Sequence, residues 1–207
     1  YYKKKFSNNI MTQIRKELKF IHVTKTGGTT IENLGKDNNI LWGRFHKEYG
    51  WWHKPFNKKT LNLKKKYNWF LIVRNPYERI ISEFYCKWGT PIEKNKYDIN
   101  DIEFNRIIKY FINNRLTDHT NLGIGHYLEQ YKYYDDKFNI HILKFENIES
   151  DFKTLMSDYN INITIDRCDN KNIKVKKIDS LSEENIKLIN EVYHKDFELF
   201  NYDKINI

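Results

Sequence analysis

Three short segments rich in apolar residues stand out along the chain, and each is followed by a loop and an amphipathic segment. They cover residues 19–23, 69–73 and 140–145. Residues 69–73 form a continuous apolar run, which is typical of a strand in a parallel sheet that is covered on both faces, and the other two segments are predicted to be short strands. The repeated order of strand, loop and helix therefore predicts an α/β fold, with a central parallel sheet flanked by helices.

Between and after these strands, apolar residues recur at the three- and four-residue spacing of helices. The spacing predicts helices over residues 29–34, 77–88, 101–115, 125–134 and 148–159. Gly35 is expected to end the first helix, and Ser180 with Glu183 is expected to open a last helix that reaches about Leu199. We expect a single domain over residues 1–207, with residues 1–18 as an N-terminal arm or short helix.

The amino-acid composition of the chain limits the classes of protein to which it can belong. The 36 Lys and Arg residues exceed the 27 Asp and Glu residues by nine, but 29 of the 36 are Lys and the chain contains no Ala. Such a bias indicates A/T-rich coding, so the charge is weak support for nucleic-acid binding until a basic patch is found. No apolar run reaches the roughly 20 residues of a membrane span. Cys86 and Cys168 are expected to be unpaired thiols, and no His/Cys cluster has metal-ligand spacing.

A glycine-containing loop follows the first strand. Residues 24–30 read Thr-Lys-Thr-Gly-Gly-Thr-Thr and precede a predicted helix. Glycines let backbone N–H groups point inward, and a helix N-terminus adds partial positive charge, so the loop suits a phosphate or a sulfate. Lys25 adds a full charge, and the Thr hydroxyls add donors. Because Lys25 precedes the glycines, the loop differs from a Walker A motif. A plain glycine turn is the alternative interpretation.

A second basic element follows the second strand. This strand delivers Arg74 to the carboxyl edge of the sheet, where open α/β folds bind ligands. Ser82 lies eight residues further along, in the predicted helix. Arg74 and Ser82 together suit one phosphate, through a charge-assisted contact and a hydroxyl. The alternative is a salt-bridging Arg74 and a solvated Ser82.

Taken as a pair, the two segments make the chain resemble the sulfotransferases that use PAPS (3′-phosphoadenosine 5′-phosphosulfate), and most closely their carbohydrate, heparan-sulfate 2-O-type branch. The family's P-K-T-G-G-T-S loop corresponds to residues 24–30, and its R-[ND]-P-x-x-R-x-x-S element to residues 74–82. Residues 141–148 and 193–202 also resemble the family, in the right order. The family's Pro is Thr24 here, which is expected to leave the start of the loop less preorganised.

The resemblance implies a P-loop-like three-layer fold, PAPS as co-substrate and no metal. It also implies a hydroxyl-bearing acceptor, expected to be a glycan, and no nucleic-acid partner. The residues implied to hold the 5′-phosphosulfate are Lys25, Thr26, Gly27, Gly28, Thr29 and Thr30, and those for the 3′-phosphate are Arg74 and Ser82. Related eukaryotic enzymes carry a membrane anchor in the Golgi. The compartment therefore stays open between the cytoplasm and a Golgi-type lumen.

Transfer to a hydroxyl also requires a base that works near neutral pH, which suits a histidine or a tuned glutamate. In the similar 2-O-type enzymes, a catalytic histidine lies slightly more than 20 residues before the Arg of the second element, and His53 lies 21 residues before Arg74. His53 is the first choice and His46 the second. Glu48 is the third, because related 3-O-type enzymes use a Glu in this region. Lys25 is suited to neutralise charge on the leaving phosphate oxygen.

Two other functions fit parts of the sequence. A nucleotide kinase or NTPase would use a phosphate loop, but the position of Lys25 and the lack of an obvious Mg²⁺ carboxylate set argue against it. A basic nucleic-acid-binding module would use the +9 charge, yet it leaves the two motifs unexplained. His126 lies in a polar turn, where a structural role is expected and contact with the acceptor is the alternative.

Overall fold

The three predicted strands form one parallel sheet. The computed structural model describes residues 16–43, 53–55, 65–116, 125–169 and 175–207. The strands are β1 (Leu18–Ile21), β2 (Asn68–Val73) and β3 (Ile140–Lys144), in the sheet order β1-β2-β3. Both pairings are parallel, with Phe20 opposite Phe70 and Leu71 opposite Ile142. This topology confirms the predicted α/β class.

Six α-helices are present in the described part of the chain. They are α1 (Gly28–Asp37), α2 (Pro76–Phe84), α3 (Asp101–Asn113), α4 (Ile148–Asp158), α5 (Glu183–Val192) and α6 (His194–Phe200). Short 3₁₀ turns lie at Gln130–Tyr133, Phe145–Asn147 and Ile178–Ser180. None of the described helices is long and apolar enough to cross a membrane. Cys86 and Cys168 are both free thiols.

Apolar side chains cover both faces of the sheet. On β2, Phe70 and Ile72 belong to one face, whereas Trp69, Leu71 and Val73 belong to the other. The first face packs against α1 and α4, and the second packs against the Gln130–Tyr133 turn and the end of α6. Because β2 is buried on both faces, its sequence is a continuous apolar run. A third cluster joins α2, α3, α5 and α6.

Several helix boundaries differ from the predicted ones. Helix α2 ends at Phe84 because the hydroxyl of Thr90 donates to the carbonyl of Glu83, at 3.0 Å, where the helix stops. The helix predicted over 125–134 is only the 3₁₀ turn Gln130–Tyr133. The last helix is split into α5 and α6, and its N-cap is Ser182 rather than Ser180. Residues 1–15 of the predicted N-terminal arm lie outside the described residues.

Gly35 lies inside α1 instead of ending it. The helix continues to Asp37, after which the chain turns back across it. An ideal Cβ on Gly35 would lie 2.7 Å from Cε3 of Trp42 and 2.8 Å from the carbonyl oxygen of Ile40. The glycine therefore permits a close approach between α1 and the segment that follows it.

We expect Gly35→Ala to lower the free energy of unfolding by about 1–3 kcal/mol, because the added methyl group overpacks against Trp42 and a backbone carbonyl. In an open helix the same change would raise stability by about 1 kcal/mol. Urea denaturation measures the difference. The control is Lys36→Ala, an exposed neighbour in the same helix, for which we expect a change below about 0.5 kcal/mol. A Gly35→Ala protein as stable as the wild type would contradict the close approach.

Candidate active site

The carboxyl ends of the three strands meet at one edge of the sheet, because the strands are parallel. There β1 leads into His22, β2 into Arg74 and β3 into Phe145. The guanidinium of Arg74 lies 4.3 Å from the centroid of the Phe145 ring, and its Nη1 donates to the carbonyl of Lys25 at 3.4 Å. The two sequence motifs are therefore adjacent in space.

The loop between β1 and α1 has the backbone of an anion-binding turn. Lys25 (φ 60°) and Gly27 (φ 83°) are both in the left-handed region, which glycine adopts readily and lysine rarely. The amide of Thr30 donates to the carbonyl of Gly27 at 3.0 Å and starts the helix. The first turn of α1 contains no acidic residue, so the positive end of the helix dipole is suited to an anion.

Thr26 and Thr30 of this loop have side-chain partners inside the protein. Thr26 is fully buried, and its hydroxyl donates to the carbonyl of Val23 at 2.9 Å. The hydroxyl oxygen of Thr30 accepts from the amide of Asp169 at 2.9 Å. A ligand in the loop would therefore meet Thr26 through its backbone N–H, whereas the hydroxyl hydrogen of Thr30 can still be donated.

Gly28 is the first residue of α1, and because it has no side chain, the ring of His22 can pack against the N-terminus of the helix. An ideal Cβ on Gly28 would lie 2.3 Å from Nε2 of His22. Any side chain at this position would have to displace the imidazole. The glycine pair thus has two functions: Gly27 supplies the left-handed turn, and Gly28 supplies space for His22.

Arg74 is held by both its backbone and its side chain. The amide group of Gln130 accepts from the backbone N–H of Arg74 and donates to its carbonyl, both at 2.9 Å. Nη2 of Arg74 donates to Glu78 at 3.1 Å. Nε is buried and has no hydrogen-bond partner among the described residues. A buried donor of this kind destabilises the protein until an acceptor binds it, so the Arg74 side chain is suited to an anionic ligand.

Ser82 lies on the same side of α2 as the Arg74 ion pair. Glu78 and Ser82 are four residues apart in the helix, so they share a face, and Arg74 pairs with Glu78. Ser82 is 7% exposed, which disagrees with a solvated serine. Ser82 lies in the last turn of α2, whereas Arg74 precedes the first turn, so Glu78 lies between the two residues predicted to hold one phosphate.

Thr24 fixes the start of the loop through two buried side chains of α2. Arg79 is fully buried and donates from Nε to the carbonyl of Thr24 at 3.1 Å and from Nη2 to its hydroxyl oxygen at 3.2 Å. The hydroxyl of Thr24 in turn donates to the carboxylate of Glu83. Proline has no hydroxyl for these bonds. The hydroxyl of Thr24 thus makes two bonds to α2 that a proline could not make, and the expected effect of Thr24 on preorganisation stays a prediction.

Three histidine rings lie in series beside the loop. The ring of His53 is half-buried, and its centroid is 4.4 Å from that of His22 and 5.5 Å from that of His126, both in edge-to-face arrangements. The first choice for the base is thus in contact with the ring that packs on the N-terminus of α1. The alternatives His46 and Glu48 lie outside the described residues.

Buried carboxylates hold the two outer histidines. Nδ1 of His22 lies 3.3 Å from Oε1 of Glu32, and Nδ1 of His126 lies 2.6 Å from Oε2 of Glu83. Burial by itself raises the pKa of the Glu83 carboxyl, but His126, Arg79 and the Thr24 hydroxyl outweigh burial and lower that pKa to about 2. Since an ionised carboxylate only accepts hydrogen bonds, Nδ1 of His126 carries a proton.

Sequence reasoning did not identify these partners. Glu32 comes from α1, Glu83 from α2 and His126 from the segment before the Gln130–Tyr133 turn, and no spacing relates them. The only available signal was the position of His22 directly after β1, at the edge where ligands bind.

Lys96 is a further cation near the loop that the sequence did not single out. It is half-buried, and its Nζ donates to the carbonyl of Cys86 at 2.9 Å. Burial lowers the pKa of Lys96, and the charge of Lys25 acts in the same direction, so that this pKa is about 8. Lys96 therefore adds positive potential on the α2 side of the loop.

One group of side chains near the histidines has the composition of a metal site. Ligand atoms of Glu83, Cys86 and His126 lie within 4.8 Å of one another. The carboxylate of Glu83 already binds His126 and Thr24, and the Arg79 guanidinium lies 3.9 Å from it. A cation would have to compete with these bonds and with the charge of Arg79, so we interpret the group as a hydrogen-bond network.

Comparison with known proteins agrees with the geometry of this edge. The profile of the sulfotransferase family matches residues 8–203. No curated protein and no solved structure matches the chain significantly. The match covers nearly the whole chain and includes both motifs. It indicates that the chemistry of this protein is the transfer of a sulfuryl group. The chain belongs to the sulfotransferase family.

Proposed function

We propose that this protein transfers the sulfuryl group of PAPS to a hydroxyl group of an acceptor, and that the acceptor is a carbohydrate. The convergence of the loop, Arg74 and His53 at one edge of the sheet carries the proposal. The carbohydrate acceptor rests on the likeness of both motifs, and of the position of His53, to the 2-O-type branch.

The nucleotide contacts follow from the two motifs. Residues 25–30 would hold the 5′-phosphosulfate through backbone N–H groups, the Lys25 ammonium and the positive end of α1. Arg74 and Ser82 would hold the 3′-phosphate, with the buried Nε of Arg74 as one donor. Glu78 pairs with Arg74, so nucleotide binding would exchange that carboxylate for a phosphate.

The chain's own residues would promote transfer in three ways. His53 would accept the proton of the acceptor hydroxyl as the acceptor oxygen attacks sulfur. Lys25 would neutralise the negative charge that develops on the phosphate oxygen of the leaving nucleotide. The fixed loop and histidine array would hold attacking and leaving oxygens in line, which is the main requirement of such transfers. PAPS would supply the sulfuryl group, and its S–O bond to the phosphate breaks.

Binding of the product nucleotide, adenosine 3′,5′-bisphosphate, tests the proposal. We expect it to raise the melting temperature and to bind measurably in a calorimetric titration. Arg74→Ala should weaken binding tenfold or more, because a charge-assisted hydrogen bond contributes about 1.5–3 kcal/mol.

The matched control is Arg106→Ala, an exposed arginine on α3 whose ion pair with Glu103 lies at the surface. Its affinity for the nucleotide should equal that of the wild type. Absence of binding to the wild-type protein would disprove the proposal. Hydrolysis of ATP that depends on Mg²⁺ would instead favour an NTPase.

A further inference from the structure

The His22–His53–His126 array has a carboxylate at each end and its most exposed ring in the middle. His22 is 9% exposed and His126 is 4% exposed, whereas His53 is half-buried. Glu32 and Glu83, which hold the outer rings, are at most 1% exposed. A proton that His53 accepts is therefore separated from each of two buried carboxylates by a single histidine ring.

The two carboxylates act in one direction on the protonation of the histidine rings. A carboxylate near an imidazole favours the protonated, positively charged ring, and the effect is larger where water is excluded. Glu83 remains ionised because His126, Arg79 and the Thr24 hydroxyl bind it. Its bond to His126 also fixes which nitrogen of that ring carries hydrogen.

We infer that Glu83 and Glu32, acting through His126 and His22, position the ring of His53 and make it a stronger base. This inference rests on the proposed role of His53. In it, the two glutamates and the two outer histidines are positioning residues that hold the ring and do not touch the acceptor.

Other charged or titratable groups also face the pair formed by Glu83 and His126. They are Arg79, Cys86, Lys96, Tyr127 and Tyr133. The positive charge of Arg79 opposes protonation of the three histidines. Arg79 lies near Oε1 of Glu83, however, whereas His126 binds the other carboxylate oxygen, Oε2. The two tyrosines are buried, and burial raises the pKa of both phenols, so they stay neutral over the range in which imidazole titrates.

Titration of the histidine ring signals by NMR tests the inference without any substrate. The signal of His53 is assigned by its loss in His53→Asn. We expect Glu83→Gln to lower the pH at which His53 takes up its proton by about half a unit or more, because the variant removes a negative charge from the array. Glu32→Gln should shift it in the same direction, and it serves as the second variant where Glu83→Gln fails to fold.

The matched control is Glu129→Gln. Glu129 is also a buried carboxylate, but it pairs with Arg115 at 3.0 Å and with Lys132 at 2.8 Å. Its removal should leave the titration of His53 unchanged. Equal His53 titrations in the wild type, Glu83→Gln and Glu32→Gln would overturn the inference.

Kinetics then separate a positioning effect from a simple loss of stability. In Glu83→Gln and in Glu32→Gln, the acidic limb of the kcat/KM profile should move to lower pH and kcat should fall. Nucleotide affinity should be kept in Glu32→Gln, whose carboxylate lies against His22. A purely structural role would lower the amount of active protein and leave the limb in place, which contradicts the inference. Failure of nucleotide binding in the wild type disproves the proposed function alone, since the NMR titration still reports on the array.

Discussion

Replacing His53 by asparagine is expected to lower the rate of sulfuryl transfer by about a hundredfold to ten-thousandfold, the usual contribution of a positioned general base. Asparagine is the sharper choice because His53 has a left-handed backbone (φ 64°), which asparagine tolerates better than alanine. The carbonyl of His53, which accepts from the hydroxyl of Tyr133 at 2.7 Å, is kept. Transfer is measured with PAPS and a panel of glycans.

Affinity for adenosine 3′,5′-bisphosphate should be unchanged in this variant. We expect the same loss of transfer and the same nucleotide affinity for His53→Ala. The matched control is His194→Ala, an exposed histidine on α6, which should keep full activity. Turnover close to the wild-type rate in His53→Asn would rule out His53 as the base. The role would then pass to His46 or Glu48.

Replacing Arg79 by methionine is expected to lower the free energy of unfolding by about 3–5 kcal/mol, because removal of one partner from a buried charge network leaves the other uncompensated. Arg79 donates to the carbonyls of Thr24 and Leu128, at 3.1 and 2.7 Å, and its charge lies 3.9 Å from Glu83. The loss is a large fraction of the 5–15 kcal/mol that a typical domain has. Urea denaturation followed by circular dichroism measures it.

Arg79→Lys distinguishes charge from geometry. A lysine keeps the charge but cannot reach several acceptors with a planar fork, so we expect it to be destabilised as well, although less than the methionine variant. Arg106→Met, which removes an exposed arginine from an ion pair on α3, should leave the unfolding midpoint unchanged. If Arg79→Met had the same midpoint as the wild type, the network would not anchor the loop.

Much of the architecture could be predicted from local patterns. The apolar run of β2 indicates a strand buried on both faces, and it lies at the centre of the sheet. The position of Arg74 at the end of that strand predicts its place at the ligand-binding edge. Helix boundaries are harder to predict where a tertiary contact is involved. The hydroxyl of Thr90 binds the carbonyl of Glu83 at the end of α2, and Gly35 serves close packing against Trp42 rather than the end of α1.

The sequence by itself determined the α/β class, the alternation of strands and helices that builds a parallel sheet, and the two motifs that point to the sulfotransferase family. These features are readable because strand and helix periodicity, and the chemistry of a glycine loop, involve residues that are close together along the chain. Only the tertiary structure decided that His53 lies between His22 and His126, and that Thr24 is held by α2. Such contacts join residues tens of positions apart, and packing alone brings them together.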